Sequence, residues 1–186
     1  QFVWRITLGK QFFRTDITTF MPVKYGLKVE DEDLVNLIYC HNMICIDLGH
    51  MKVHSIEWAK EMPDLRFALF ADTKVKDISP LENHTKLVYL ELFQTNVKDT
   101  KPLVSCTALE DLNLCYTSAD VEPIAQMTWL KRVWWSGRWK AQSILPKALP
   151  NTKLEFNSVS STGNGWREGK LYYEQRDLLG MGYMEG

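Results

Sequence analysis

The sequence predicts an α/β solenoid, in which short parallel strands stack along a concave face and the chain returns behind them. Two observations predict it. The chain repeats itself at a fixed offset of 22 residues, so that segment 65–81 aligns with segment 87–103. Each repeat opens with apolar side chains at alternating positions, which is typical of a short β-strand. About six strands are predicted, and they begin at Met43, Leu65, Leu87, Leu109, Leu130 and Lys153.

A repeat of this length cannot bury its own apolar side chains, so equivalent residues of successive repeats must stack into rows. Three positions of each strand segment supply these rows behind the sheet. Twenty-two residues leave no room for a full helix on the return path, which predicts turns or single helical turns there. The rows are Leu65, Leu87, Leu109 and Leu130; Ala68, Leu90, Leu112 and Val133; and Phe70, Leu92, Leu114, Trp135 and Phe156.

Over about residues 43–158, each repeat reads LxxLxLxxTxV, which resembles the leucine-rich-repeat pattern. The 22-residue length and the Pro-Leu pair on the return side are similar to the short internalin-type subclass of bacterial leucine-rich-repeat proteins. One departure is Thr73, Thr95 and Thr117, because the family usually has an asparagine there, and a hydroxyl satisfies buried backbone groups less completely. The resemblance implies a right-handed superhelix that binds another protein, without catalysis, on a bacterial surface or secreted protein.

Both ends of the chain are predicted to be lids, because an open end would expose a whole cross-section of the solenoid. A β-hairpin with its turn at Gly9 and a short helix that starts with the acidic run 30–33 are expected at the start. The helix residues also fit the return half of a degenerate repeat before Met43. A helix from Lys170 to Met181 is expected to dock onto the last repeats. The predicted domains are 1–42, the N-terminal cap; 43–158, the leucine-rich repeats; and 159–186, a C-terminal cap or tail.

Charge and hydropathy argue against nucleic-acid binding and a membrane span. The formal net charge is −1 and no polybasic run occurs, so the electrostatic footprint for nucleic acid is missing. No apolar run reaches the roughly 18 residues of a membrane-spanning helix. The first four residues, QFVW, are neither a signal peptide nor an initiator methionine, so we expect a cut N terminus. The resemblance implies a secreted or cell-surface location, and a cytoplasmic one is the alternative.

The four cysteines are predicted to be free thiols. Cys40 and Cys106 fall at the same position of the repeat and are expected in the core. Cys45 and Cys115 are expected to face outward from strands three repeats apart, which is too far for a disulfide. Only Cys45 and Cys115 should therefore react readily in the folded protein.

No catalytic, metal or cofactor site is predicted. Glu91 and Asp111 lie on neighbouring strands and could be a glycosidase-type acid–base pair, but neither a histidine nor a nucleophile joins them on that face. His50 and His54 lie in a turn and not on one face of a helix, which argues against a metal site. The candidate ligands for such a site are Cys40, His41, Cys45, His50 and His54.

The concave face is the predicted binding site, because alternate strand positions must point away from the core. Phe67, Tyr89 and Phe93 would form an exposed apolar patch there, beside charged side chains such as Arg132. Exposed patches usually have a partner, and Tyr, Trp and Arg dominate interface energetics. The predicted partner-binding residues are Phe67, Leu69, Tyr89, Glu91, Phe93, Asp111, Asn113, Tyr116, Arg132 and Trp134.

Three alternatives to a protein partner stay open for this face. Tyr89 and Trp134 could stack on the sugar rings of a carbohydrate or glycopeptide, with nearby carboxylates accepting hydroxyl hydrogen bonds. The face could pack against a second copy of the chain, or the terminal segments could fold over it. An exposed face predicts that Tyr89→Ala and Phe93→Ala leave the fold nearly intact, whereas Leu90→Ala lowers stability by about 2–5 kcal/mol.

Overall fold

The computed structural model describes residues 2–136, 139–156 and 165–182, and seven short strands among them form one parallel sheet. The described strands are β1 (Arg5–Leu8), β2 (Gln11–Arg14), β3 (Thr19–Phe20), β4 (Cys45–Asp47), β5 (Phe67–Leu69), β6 (Tyr89–Glu91), β7 (Asp111–Asn113), β8 (Arg132–Trp134) and β9 (Lys153–Glu155). The sheet runs in chain order from β3 to β9, so each repeat pairs only with its neighbours. The predicted α/β leucine-rich-repeat solenoid is therefore confirmed.

The register of the sheet follows the sequence repeat. Cys45, Phe67 and Tyr89 lie opposite one another on β4, β5 and β6, at steps of 22 residues. All six predicted strands are present, and Thr19 of β3 adds a seventh by pairing with Cys45. β3 lies in the segment predicted as the N-terminal cap. It has two residues and lacks the leucine pattern, but it agrees with the alternative of a degenerate repeat before Met43, whose return half contains the 3₁₀ helix Asp31–Tyr39.

The predicted rows pack together in one buried cluster behind the sheet. Leu65, Leu90 and Leu114, one from each row, have no exposed surface. Phe156, after the last strand, packs against the cluster but is only partly buried. Burial of a large apolar side chain contributes roughly 1.5–3 kcal/mol, so these rows hold neighbouring repeats together.

The return segments are mostly short 3₁₀ helices, apart from the four-residue α-helix α1 (Val121–Ile124) and one longer helix. Between β8 and β9 the chain forms α2 (Trp139–Ala148), a ten-residue helix that buries Ala141 and Leu145. Helical residues advance only about 1.5 Å each, so this helix spans roughly 15 Å. The expectation that no full helix fits is wrong for this repeat. The other described helices are the 3₁₀ helices Pro22–Tyr25, Asp31–Tyr39, Glu57–Glu61, Ser79–Leu81, Lys101–Ser105 and Trp166–Glu168, with α1 (Val121–Ile124) and α3 (Lys170–Leu179).

The threonine ladder satisfies one backbone carbonyl in each turn. The hydroxyls of Thr73, Thr95 and Thr117 each donate a hydrogen bond of 2.8 Å to the carbonyl oxygen three residues earlier. All three side chains are buried, so an unpaired carbonyl there would be costly. A hydroxyl is thus an adequate replacement for the usual asparagine at this carbonyl.

The N-terminal segment contains a two-stranded hairpin and a 3₁₀ helix. β1 and β2 pair antiparallel, and the turn between them places Gly9 at φ 60°, which glycine adopts without strain. The 3₁₀ helix Asp31–Tyr39 starts with a capping box, in which the Asp33 carboxylate accepts a hydrogen bond of 2.9 Å from the backbone of Glu30. Two buried leucines of this helix face the core.

Residues 165–182, the covering segment, cross the concave face. Its helix α3 packs against β3 and β4. Lys24 Nζ of the N-terminal segment donates a hydrogen bond of 2.7 Å to the carbonyl oxygen of Leu179. Trp166, at the start of the segment, lies on β6 and β8. A helix was expected here, but the expectation that it docks onto the last repeats is wrong, because α3 lies on the first strands of the sheet.

All four cysteines are free thiols, and all four are buried. Cys45 and Cys115 have no exposed surface, so the expectation that they face solvent is wrong. Alternation along a strand determines the face on which a side chain lies, but not whether another layer covers that face. Burial raises the pKa of Cys40 and Cys106 to about 11, which leaves little reactive thiolate at neutral pH.

We expect none of the four thiols to react with a maleimide in the folded protein, and all four to react in denaturant. The reason is that the thiolate is the reactive form and burial excludes both solvent and reagent. Intact-mass spectrometry after timed labelling measures this directly. Rapid native labelling of Cys45 would contradict the prediction and show that the covering segment leaves the face open.

Candidate binding site

The covering segment removes the concave face from solvent. Phe67, Tyr89 and Trp134 have no exposed surface, and Leu69 is 6% exposed. The predicted exposed patch is therefore wrong, and the alternative in which a terminal segment folds over the face is correct. The buried members of the cluster between sheet and covering segment are Cys45, Phe67, Leu69, Tyr89, Cys115, Trp134, Trp166, Tyr172 and Leu179.

Trp166 is the central contact of this cluster. Its ring centroid lies 5.1 Å from that of Tyr89 and 5.3 Å from that of Trp134. A buried aromatic side chain removes roughly 150–250 Å² from water, which contributes about 4–6 kcal/mol. Apolar burial is thus the main force that holds the covering segment on the sheet.

Arg132 connects the sheet to the covering segment by polar contacts. Its guanidinium Nη1 lies 2.7 Å from Asp111 Oδ2, and its Nη2 donates hydrogen bonds of 2.8 Å to the carbonyl oxygens of Gly165 and Trp166. The guanidinium also lies 5.2 Å from the centroid of the Trp166 ring. A Cβ atom at Gly169 would overlap Nη1, so a larger residue there would require the Arg132 side chain to move from its present contacts.

The ion pair between Arg132 and Asp111 is largely shielded from water, with 14% and 4% of the two side chains exposed. Burial raises the pKa of Asp111, and the guanidinium of Arg132 opposes that rise. Asp111 is therefore occupied by a structural ion pair, and its predicted partner-binding role would require that pair to open.

The remaining predicted residues divide into buried and accessible ones. Asn113 has no exposed surface, and its Oδ1 accepts a hydrogen bond of 3.0 Å from the backbone of Cys115. Phe93 is partly exposed and Tyr116 is 49% exposed. Of the ten predicted side chains, Tyr116 is thus the exposed one, while Phe93 and Arg132 are partly accessible. Tyr89, like Leu90, is fully buried, so the basis for expecting Tyr89→Ala to leave the fold intact is wrong.

A cavity of about 310 Å³ remains between the covering segment and the first half of the sheet. Asp47, Leu69 and Glu91, from adjacent strands, line it on the sheet side. The covering segment contributes Arg167, Tyr172, Gln175, Arg176 and Met181. Sequence reasoning placed Asp47 and Glu91 on this face but missed the side chains above them. The only sequence signal for those was the aromatic and methionine content of the predicted C-terminal helix.

Glu91 is a buried acid of this cavity, and its pKa lies well above the usual range of a glutamate. Burial raises its pKa to about 7, and the nearby carboxylate of Asp47 adds to the rise. The indole of Trp166 and the hydroxyl of Tyr89 oppose the rise, with Tyr89 Oη 3.3 Å from Glu91 Oε2. Burial also raises the pKa of Asp47, whose Oδ1 accepts a hydrogen bond of 2.9 Å from the backbone of Gly49.

We expect Glu91→Gln to reduce the pH dependence of stability between about pH 4.3 and pH 7. In this window Glu91 is protonated in the folded state and ionised in the unfolded state. The free energy of unfolding of the wild type therefore falls as pH rises, and it levels off above the pKa of Glu91 in the folded state. The loss attributable to Glu91 is on the order of 3 kcal/mol. Urea unfolding at several pH values measures it, with exposed Glu61→Gln as the control. Parallel curves for wild type and Glu91→Gln would contradict the prediction.

Among residues 2–136, 139–156 and 165–182, no group of three or more histidine, cysteine, aspartate or glutamate side chains is arranged to hold a metal ion. No helix in the same residues is both long and apolar enough to cross a membrane.

Comparison with known proteins gives structural relatives and no sequence relatives. No protein-family model matches the sequence, and neither does any curated protein. An internalin, InlF, from Listeria monocytogenes matches with 21% identity and a TM-score of 0.57, over 83% of this chain and 53% of its own. Internalin C2 from the same species matches with 16% identity and a TM-score of 0.50, over 80% of this chain and 76% of its own.

These likenesses show a shared fold. The chain spans about half the length of the internalin InlF that it resembles, so the activity and partners of that protein do not transfer with the fold. The leucine-rich-repeat architecture that the repeat pattern predicted is thus supported by the sheet topology and by two solved structures.

Proposed function

We propose that this chain is a non-catalytic protein-interaction module of short, internalin-type 22-residue repeats, in a bacterial surface or secreted protein. The fold supports it, because stacked repeats offer an extended surface for a partner. The observation that carries the proposal is an accessible aromatic pair at the edge of the sheet, formed by Phe93 and Tyr116. Phe93 is partly exposed and packs against the edge of the cluster beneath the covering segment, and Tyr116 beside it is 49% exposed.

One residue of each repeat at this edge adopts a left-handed backbone. His50, Asp72, Gln94 and Tyr116 have φ values of 63°, 53°, 55° and 56°, at steps of 22 residues. For a bulky residue such as tyrosine this conformation is unusual and requires support from its surroundings. The backbone N–H of Tyr116 supplies some of it by donating a hydrogen bond of 2.6 Å to Ser136 Oγ. These four positions form a regular ridge along the edge of the sheet.

The aromatic pair is fixed in place before any partner arrives. The ring centroids of Phe93 and Tyr116 lie 5.4 Å apart in an edge-to-face arrangement. Rigid aromatic side chains lose little entropy on binding, which is why they often dominate an interface. Asp72 lies next along the ridge and accepts hydrogen bonds from Gln94 and His50, which gives the pair a polar rim.

The other predicted uses of the face lose their support. Tyr89 and Trp134 have no exposed surface, so neither ring is free to stack on a sugar. Self-association through the centre of the face would require the covering segment to leave. A protein partner at the ridge requires neither exposure of Tyr89 and Trp134 nor removal of the covering segment.

The binding experiment uses a panel of displayed cell-surface ectodomains, screened with the wild-type chain and followed by titration of each hit. We expect the double variant Phe93→Ala/Tyr116→Ala to bind at least about tenfold more weakly, as loss of aromatic anchors usually requires. Tyr39→Ala is the matched control, because Tyr39 is 53% exposed and lies on the N-terminal 3₁₀ helix. Cell fractionation with an antibody against the chain tests the proposed location.

Two outcomes would contradict the proposal. Hits that bind the double variant as tightly as the wild type would place the interface elsewhere. Hits that lose affinity equally with Tyr39→Ala would show that no particular aromatic pair matters.

A further inference from the structure

The cavity beneath the covering segment carries charges in two opposed layers. Asp47 of β4 and Glu91 of β6 lie on the sheet side, two strands apart, with Leu69 of β5 between them. Arg167 and Arg176 lie on the side of the covering segment. The two carboxylates and two guanidiniums sum to no net charge when all are ionised. A bound molecule with a net charge would therefore leave one charge uncompensated in a poorly solvated space.

Gln175 contributes an unsatisfied hydrogen-bond donor and an unsatisfied acceptor to this cavity. Its side chain has no exposed surface, and neither Nε2 nor Oε1 has a hydrogen-bond partner among the described residues. A buried amide of this kind is rare in folded proteins and costs roughly 1–3 kcal/mol for each unsatisfied group. Gln175 lines the cavity directly, so a polar molecule there would meet both a free donor and a free acceptor.

The two arginines of the cavity differ in how many of their hydrogen-bond donors are already used. Arg176 donates from Nε and Nη2 to the carbonyl oxygen of Gly182, at 3.0 and 2.7 Å. Arg167 has no hydrogen bond among the described residues; its guanidinium lies 6.0 Å from the centroid of the Tyr172 ring and attracts the carboxylates of Asp47 and Glu91. Arg167 is thus the cation best able to form a new bidentate pair with a carboxylate.

We propose that this cavity binds a free α-amino acid, with its ammonium group between Asp47 and Glu91 and its carboxylate at Arg167 and Gln175. A zwitterion matches both layers at once and adds no net charge to the site. The volume of about 310 Å³ suits a molecule of this size. Leu69, Tyr172 and Met181 supply the apolar wall for a side chain.

The cavity is accessible at its rim. Val23 is 54% exposed and the His50 side chain 78% exposed, and both line it. An amino acid can therefore enter from the side of the N-terminal segment without removal of Trp166. This inference does not depend on the proposed protein-binding ridge, which lies at the edge of the sheet and uses Phe93 and Tyr116.

The test follows the side-chain amide signals of Gln175 by NMR in the ¹⁵N-labelled chain, assigned by their loss in Gln175→Met. Each free L-amino acid is titrated to about 10 mM, which detects even millimolar affinity. We expect at least one to shift these signals saturably. Its N-acetyl and carboxamide forms, which lack one charge each, should bind about tenfold more weakly or worse.

Variants separate a specific site from general effects. Gln175→Met should weaken binding of that amino acid about tenfold, monitored at the backbone amide of Leu69, whereas exposed Gln126→Met should not. Glu91→Gln provides a second, sheet-side variant with the same expected loss. If no free amino acid moves the Gln175 signals, or if the blocked forms bind as tightly as the free one, the proposal is overturned.

Discussion

Replacement of Trp166 with alanine is expected to lower the free energy of unfolding by about 3–5 kcal/mol. Trp166 has no exposed surface, and its ring lies between Tyr89 and Trp134. The substitution leaves a cavity at the centre of the interface and removes the contact of the ring with Arg132. Urea unfolding followed by circular dichroism measures the change.

The matched control for this prediction is Trp139→Ala. Trp139 is 80% exposed at the start of α2, so the same substitution should change stability by no more than about 0.5 kcal/mol. If Trp166→Ala and Trp139→Ala changed the free energy of unfolding equally, the covering segment would not be packed against the sheet. Tyr89 would then be accessible, as the sequence alone predicted.

Arg132→Met is expected to lower stability by a similar amount, about 3–5 kcal/mol, because it leaves the buried carboxylate of Asp111 without its ion-pair partner. The substitution also removes the donors to the carbonyl oxygens of Gly165 and Trp166. Methionine retains much of the apolar volume, so the loss reports mainly on the polar contacts. Thermal and urea unfolding of the same variant measure it.

The adjacent residue supplies the control. Lys131 forms an ion pair of 2.8 Å with Glu110, but their side chains are 65% and 36% exposed. Lys131→Met should therefore lower stability by only about 0.2–1 kcal/mol. A loss for Arg132→Met as small as this would show that water reaches Asp111 and that the ion pair is a surface feature.

The sequence predicted the repeat frame well because one period controls both the stacking and the pairing of strands. Leu65 and Leu87 mark the same place in successive repeats, and the strands that follow them pair in that register. The extent of burial was harder to predict. Tyr89 and Leu90 point to opposite faces of β6, and both are fully buried. Strands buried on both faces contain nearly continuous apolar runs, and segments 65–70 and 87–92 do contain them.

Other features had little usable sequence signal. β3 is a two-residue strand before the regular repeats, and its pairing depends on where the N-terminal segment is placed. The cavity residue Gln175 lies on a helix whose docking site no local pattern specifies. Contacts between distant segments such as Lys24 and Leu179 arise from the assembled solenoid, so periodicity cannot reveal them.

The covering segment couples the stability of repeats that are not neighbours in the stack. Repeats in a linear stack interact only with their neighbours, so such a stack can fray from one end. Here one segment contacts β3 and β4 through α3 and β6 and β8 through Trp166, which links distant repeats as a brace does. The two ends should therefore open together, and native-state hydrogen exchange of β4 and β8 amides should give one common opening free energy. During synthesis, this brace forms only after residues 165–182 have left the ribosome, so the concave face stays uncovered until then.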